Sequence, residues 1–379
     1  MSGFVLGVVP EIRFGPGRVA DVVTKAEALA GRGAMVLIVA DPALEAAGIT
    51  GLARDLLGKA GFETQTYDTF AGEARAADVD GAAAMARQGG ARLVLGLGGG
   101  TALDTAKLAA CCAVSGLPAM AYALCATPLP ENRLPLIAVP TTAGTGSEAT
   151  RVSVYSDAAK NKVWAWGEEL KPDVAILDPE LTVALPPAIT AGTGLDALVH
   201  AIEAATNKQA NAGNDLYCLE AIRLIAENLE KAVHHPGDIA ARGAMLLASC
   251  YGGIGIDNCG TALAHNIAHA VANLAPIPHG RATGLAMMAS MDWVAEGNRP
   301  GFARVATALG SDDPVGAFAR LVRASGLKVS LADELAHVTP DLLARHMALP
   351  ANAPMRKSTL RYPSGDDLLM LAERFLGLS

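Results

Sequence analysis

Two short apolar runs limit what this chain can fold into more than any other feature. Ala34-Met-Val-Leu-Ile-Val-Ala40 stops at Asp41, and Arg92-Leu-Val-Leu-Gly-Leu97 runs straight into Gly98-Gly-Gly-Thr-Ala-Leu-Asp-Thr-Ala-Lys107. Neither run alternates polar with apolar residues, so each reads as a strand buried on both faces. Such strands belong to parallel sheets covered by helices. The segments between them fit: a polar helix near 51–60, a strand around Glu63–Tyr67 and a helix across Asp78–Arg87. Leu134–Val139 adds a strand, Val152–Tyr155 and Lys162–Trp166 form a hairpin, and Asp173–Asp178 closes the sheet. Strands and helices alternating in this way predict an α/β domain with a parallel, Rossmann-like sheet. Pro186-Pro187 marks its end. Beyond it Ala- and Leu-rich helical periodicity prevails, with helices expected at 187–206, 214–233, 238–257, 262–273 and 281–296. At 379 residues the chain is long enough for two cores. The expected division is 1–186, an α/β domain, and 187–379, all-helical.

The glycines at 98–100 sit between a strand and a helix. That lets backbone approach a ligand closely and turns the amides of a helix N-terminus toward it, a ready phosphate site. The alternative is a tight turn in which Thr101 caps the helix and Asp104 completes a capping-box-like pair. The segment is neither Gly-x-Gly-x-x-Gly nor a Walker loop. Asp41 ends an earlier strand of the same sheet, at the edge where open α/β sheets bind ligands. There it either bonds a ribose diol, which favours NAD over NADP, or is a plain turn residue before Pro42. Pro140-Thr-Thr-Ala-Gly-Thr-Gly-Ser-Glu148 offers hydroxyls and glycines that serve phosphate or ribose oxygens, or ordinary turn chemistry.

In the helical half, Gly194-Leu-Asp-Ala-Leu-Val-His200 puts Asp196 and His200 one turn apart on one helix face. His265 and His269 repeat the spacing on a later helix, and His279 follows in Pro278-His279-Gly280. A lone Asp-x-x-x-His is weak, because a core or solvated histidine is common. Five of the eight histidines lie between 200 and 279, however, in otherwise apolar helices where unsatisfied polar groups are costly. One carboxylate with two or three imidazoles is a donor set for a divalent cation.

Composition narrows the function class. The net charge is −8 and no Lys/Arg run stands out, which excludes nucleic acid and anionic membrane as evident partners. No uninterrupted apolar run of about 18 residues, the length needed to span a bilayer, is apparent. The amino-terminal residues lack the basic flank of a secretion signal. The six cysteines show no Cys-x-x-Cys spacing and read as buried free thiols of a soluble, cytoplasmic protein.

The order of these motifs resembles the iron-containing (group III) alcohol dehydrogenases, within the dehydroquinate synthase-like superfamily. The resemblance rests on Gly-Gly-Gly-Thr-x-x-Asp-x-x-Lys, Pro-Thr-Thr-Ala-Gly-Thr-Gly-Ser-Glu and Asp178-Pro-Glu-Leu in the first half. In the second it rests on Gly-Leu-Asp-Ala-Leu-x-His-x-x-Glu203, His-x-x-x-His and Pro-His-Gly. It runs from about Phe14 to the Asn352, Arg356 and Asp366 region. It implies a nucleotide-binding α/β domain and an all-helical domain with the site in the cleft between. It implies Asp196, His200, His265 and His279 as metal ligands, Fe(II) being the family expectation and Zn(II) the intrinsically stronger competitor. His269 is implied as a nearby proton relay. The NAD pyrophosphate is implied to lie on Gly98, Gly99, Gly100 and Thr101, with Asp104 in the same motif. Thr141, Thr142 and Ser147 are implied to face the diphosphate and nicotinamide, Lys162 one ribose and Asp41 the other.

The activity implied is hydride transfer between nicotinamide and a small primary or secondary alcohol or aldehyde, by a homodimer. Two superfamily alternatives are a metal-independent reductase like maleylacetate reductase and a cyclase-lyase like dehydroquinate synthase. The retained Asp and His set weighs against both. Arg281, beside His279, raises an acidic substrate as one option and a surface ion pair as the other. Gly252-Gly-Ile-Gly-Ile-Asp-Asn-Cys-Gly260 lacks an aromatic some members carry, which bears on pocket size.

Overall fold

The computed structural model describes residues 3–70 and 72–378. The chain divides into two compact units: 8–142 with 146–184, and 3–7 with 143–145 and 185–378.

The first unit is built on eight strands: β1 (Glu11–Phe14), β2 (Met35–Ala40), β3 (Glu63–Tyr67), β4 (Leu93–Gly98), β5 (Leu136–Pro140), β6 (Val152–Ser156), β7 (Lys162–Trp166) and β8 (Val174–Leu177). Its helices are α1 (Asp21–Ala30), α2 (Ala43–Ala46), α3 (Ile49–Lys59), α4 (Ala76–Gly89) and α5 (Gly100–Ser115). Six strands form one parallel sheet in the order β1-β8-β5-β4-β2-β3. Strands β2, β4, β5 and β8 are buried along nearly their whole length, which is why their sequences are unbroken apolar runs. β8 was expected to close the sheet; it instead lies inside it, and β1 takes the edge. The chain passes from β2 outward to β3, then returns to place β4 on the other side of β2. The β2/β4 pair is therefore the topological switch point, where ligands of such sheets bind outside the carboxyl ends.

The β6–β7 hairpin stands apart as a two-stranded antiparallel sheet. A buried ammonium ties it to α5. Lys107 Nζ donates to Ser147 Oγ at 2.7 Å, Thr150 Oγ1 at 2.9 Å and the Val152 carbonyl at 2.9 Å. Asp104 Oδ1 lies 3.6 Å from it, while Asp104 also accepts from Ser147 Oγ at 2.5 Å and Val154 N at 3.0 Å. A charged pair survives burial when its remaining hydrogen bonds are made, as here.

The second unit is helical: α6 (Pro187–Thr206), α7 (Ala212–His234), α8 (Ile239–Cys259), α9 (Leu263–Ala272), α10 (His279–Gly297), α11 (Arg299–Ala308), α12 (Pro314–Ala324), α13 (Pro340–Met347), α14 (Ala353–Ser358) and α15 (Gly365–Leu376). The central helix α6 is buried at almost every position, matching its lack of a polar face. Small residues let neighbours approach it. A Cβ on Gly252 of α8 would lie 3.1 Å from the Ala197 carbonyl of α6, and one on Gly255 would lie 2.6 Å from Cys218 Sγ of α7. Gly252 and Gly255 are thus helix-packing positions, whereas Gly260, at φ +73 with nothing within 4 Å, ends the helix. α8 is long and apolar enough by length and mean hydropathy to cross a bilayer, although Arg242 and Asp257 interrupt it, and 67% of its most apolar stretch is buried inside the protein. Five of the six unpaired cysteines are buried as expected; Cys125 is exposed.

α6 and α10 meet main chain to main chain. A Cβ on Gly280 would overlap the Gly192 carbonyl, 2.6 Å from its carbon, so the two main chains touch. Because the obstacle is backbone, no rotamer change relieves it. Gly280→Ala is expected to lower the unfolding free energy by about 2 kcal/mol through overpacking. Gly237→Ala, where nothing lies within 4 Å, serves as the control and should leave it unchanged. Urea unfolding of both variants checks this.

Candidate metal centre and dinucleotide edge

The α6–α10 crossing places His279, the first residue of α10, beside Asp196 in the middle of α6. α9 brings His265 to the same carboxylate. Three Nε2 atoms surround Asp196 Oδ1: His279 at 3.6 Å, His265 at 3.7 Å and His200 at 4.0 Å. Ligand atoms of Asp196, His265 and His279 all lie within 4.8 Å of one another. His200 stands outside that mutual group but stacks on His265, with ring centroids 4.7 Å apart and planes inclined by 18°. Ligands about 2.1 Å from one tetrahedral ion lie roughly 3.4 Å from each other, so the spacing suits a cation.

The hydrogen-bond partners of the rings fix which nitrogen faces inward. His200 Nδ1–H donates to the Gly144 carbonyl at 3.3 Å, and His265 Nδ1–H donates to Glu203 Oε2 at 2.7 Å. Each tautomer leaves the Nε2 lone pair toward Asp196. His265 Nε2 is buried and has no hydrogen-bond partner among the described residues. A lone pair aimed at a carboxylate oxygen inside a protein is unfavourable unless a cation lies between them, so the residues fit a metal. Burial depresses the His200 pKa. Burial acts in the same direction on His265, but the Glu203 and Asp196 carboxylates outweigh it and raise that pKa. Negative potential of this kind is what a divalent ion meets.

Two neighbours were not singled out as site residues in the sequence. Glu203, 3% exposed, continues the Asp196–His200 stripe at i+3, a spacing that was legible. Thr283 lies four residues after His279 on α10, its hydroxyl 2.9 Å from Asp196 Oδ1 and 2.6 Å from the His279 carbonyl. His269 is brought close without joining the donor group: its ring centroid is 6.3 Å from that of His265 and 5.6 Å from that of His279. Arg281 is not free to meet an acid. Its guanidinium donates to Glu334 Oε1 at 2.7 Å, the Lys328 carbonyl at 2.8 Å and the Ser330 carbonyl at 2.7 Å. Its hydrogen bond holds the Glu334 pKa down to about 2. Of the two options for Arg281, the ion pair is the one its side chain makes.

In the sheet unit, Asp41, Gly98–Thr101 and Thr141–Thr142 meet at the carboxyl ends of β2, β4 and β5. Asp41 N donates to the Leu97 carbonyl, and Thr141 N to the Gly98 carbonyl. Gly98 has φ +145, and a Cβ there would lie 2.9 Å from Ala102 Cβ and 3.2 Å from Asp41 Cβ, so only glycine fits the turn. The capping-box alternative fails: Gly99 is the N-cap of α5, with no side-chain cap, and Asp104 is engaged by the hairpin. The first bond of the helix is Leu103 N to Gly99 O, so the amides ahead of it are left for a ligand. Ser147 and Asp104 sit in the Lys107 network, and Lys162 pairs with Glu73 at 3.1 Å.

Comparison with known proteins agrees with this geometry. Residues 10–179 match the iron-containing alcohol dehydrogenase model and 190–346 the C-terminal model of the same family. The chain is 38% identical over 334 residues to the probable alcohol dehydrogenase EutG of Escherichia coli (strain K12), covering 86% of this chain and 83% of that one. A 1,3-propanediol oxidoreductase structure superposes with a TM-score of 0.91 at 28% identity, over 99% of this chain and 100% of that one. Sulfoacetaldehyde reductase from Bifidobacterium kashiwanohense in complex with NAD+ gives 0.90 at 28% identity over all of both chains. Fold, donor set and sequence agree: the chain belongs to the iron-containing alcohol dehydrogenase family and is an oxidoreductase of the alcohol–carbonyl couple.

Proposed function

We propose that the protein is an NAD-dependent alcohol dehydrogenase and aldehyde reductase that uses a divalent metal, Fe(II) by family and Zn(II) as the competitor. Its division of labour is residues 1–186 for the dinucleotide and 187–379 for the metal and the alcohol oxygen. The observation that carries the reading is the ring of Nε2 atoms about Asp196 Oδ1, one of them buried without a hydrogen-bond partner among the described residues. Asp196, His200, His265 and His279 would hold the ion, which supplies Lewis acidity that makes an alkoxide accessible near neutral pH. NAD, when bound, would supply the hydride acceptor.

The chain's own residues do the rest. Gly98, Gly99, Gly100 and Thr101 bind the pyrophosphate at the open end of α5, where amides and helix dipole favour anions. Thr142, against which Gly99 packs, and Thr141 border the same turn. Asp41 accepts from the ribose diol and repels a 2′-phosphate. His269, close to His279 but outside the ligand group, takes the alcohol proton and hands it to water. Thr283 holds the Asp196 carboxylate in place by hydrogen bonding. Lys162, Ser147 and Asp104 act indirectly, by holding the hairpin and its loop.

Metal-free protein reconstituted separately with Fe(II) and Zn(II) and assayed against small alcohols and aldehydes tests the reading. Turnover of NADH is expected only with metal, and Asp196→Ala should reduce metal affinity and turnover by at least about 100-fold. NADH turnover that is indifferent to chelation would instead identify a metal-independent reductase. Asp41→Ser is expected to shift the NADP-to-NAD ratio of kcat/KM upward by about 10-fold, about 1.4 kcal/mol; an unchanged ratio would remove Asp41 from the ribose.

We further propose a cytoplasmic homodimer. Support comes from the six unpaired thiols, and from β1, an edge strand that ends in exposed Phe14 and follows exposed Val8. Sedimentation should give twice 38.7 kDa; a monomer at micromolar concentration would refute it.

A further inference from the structure

We propose that Glu203 is a positioning residue for the metal centre: it fixes the tautomer and ring orientation of His265 while also capping the helix that carries it. The inference rests on the metal reading above and concerns a group that does not itself ligate. Glu203 lies inside the apolar helix α6, 3% exposed. A carboxylate so placed costs several kcal/mol unless every lone pair is used. Here they are used by one element. Oε2 accepts from Ala262 N at 2.6 Å and His265 Nδ1 at 2.7 Å; Oε1 accepts from Ala264 N at 2.6 Å and His265 N at 3.4 Å. No side chain of α9 caps its own N-terminus, so the first-turn amides depend on this carboxylate from α6.

A cap needs only acceptor oxygens. The fourth donor is different, because a ring nitrogen facing a carboxylate must carry the proton. Nδ1–H at Glu203 leaves Nε2 as the lone pair, and Nε2 is the atom 3.7 Å from Asp196 Oδ1. One side chain therefore sets the start of α9 and the direction in which His265 can donate electrons.

Glu203→Gln separates the two roles. The amide keeps one oxygen, which goes to the Oε1 position, where two backbone amides point. Its NH2 then occupies the Oε2 position, where it faces His265 Nδ1 and gives up the bond accepted from Ala262 N. That forces Nδ1 to accept and moves the ring proton to Nε2, where it blocks the metal. Metal-free wild type and variant are titrated with Zn(II) against a competing chelator, and with Co(II) by its visible absorption. The variant is expected to bind both ions about 10- to 100-fold more weakly and to show an altered Co(II) spectrum, while remaining folded. Affinity within about threefold of wild type overturns the proposal, as does a variant that melts earlier yet binds normally in its folded fraction. Should the variant not fold, ¹⁵N-histidine spectra of zinc-loaded wild type decide: an Nδ1–H on His265 supports the proposal and an Nε2–H overturns it. Wild type that binds neither ion refutes the metal reading itself, a result distinct from all of these.

Discussion

Lone pairs that converge inside apolar helices repel one another until a cation joins them. Asp196 Oδ1 and its surrounding imidazoles are in that position, and the helical unit is arranged to hold them there. α6 supplies the carboxylate and one ring, α9 a second and α10 a third. α6 and α9 bury nearly all of their side chains, and only His279, 30% exposed at the start of α10, reaches toward solvent. Where a solvent-facing cluster would relax, this one is held by the Gly144 carbonyl and Glu203 on the outer side of two rings and by Thr283 on Asp196 Oδ1 itself.

The sheet unit meets a different demand, which is to present backbone to an anion. It does so at the switch point, where two parallel strands end side by side and a helix begins with a glycine in place of a capping side chain. The hydroxyls and charges nearby divide into two kinds. Thr141 and Thr142 line the turn. Asp104, Ser147 and Lys107 form a buried network that holds the hairpin against α5.

Much of this could be read from the chain alone because burial imposes a period. Unbroken apolar runs gave β2, β4 and β8, and the i, i+4 pairs gave the faces of α6 and α9 on which the carboxylate and imidazoles converge. The readings left open were those in which one residue type serves two physical ends. Asp104 beside Thr101 has the spacing of a capping box, yet its carboxylate bonds a strand 50 residues away in sequence. Arg281 beside His279 has the charge to recruit an acid, yet three carbonyl or carboxylate partners from 328–334 claim it. No local pattern encodes such distant partners. The position of β8 inside the sheet was hidden for the same reason, since chain order does not state strand order.

The contact of α6 with α10 at Gly192 and Gly280 has a consequence for how such a protein can diversify. The separation of Asp196 from His279 is set by two main chains in touch, not by the volume of side chains between them. Repacking the surrounding core therefore leaves the ligand span nearly fixed. A lineage seeking a different ion or a roomier substrate must exchange the ligands themselves or remodel surfaces away from this crossing, because the crossing has no slack to give.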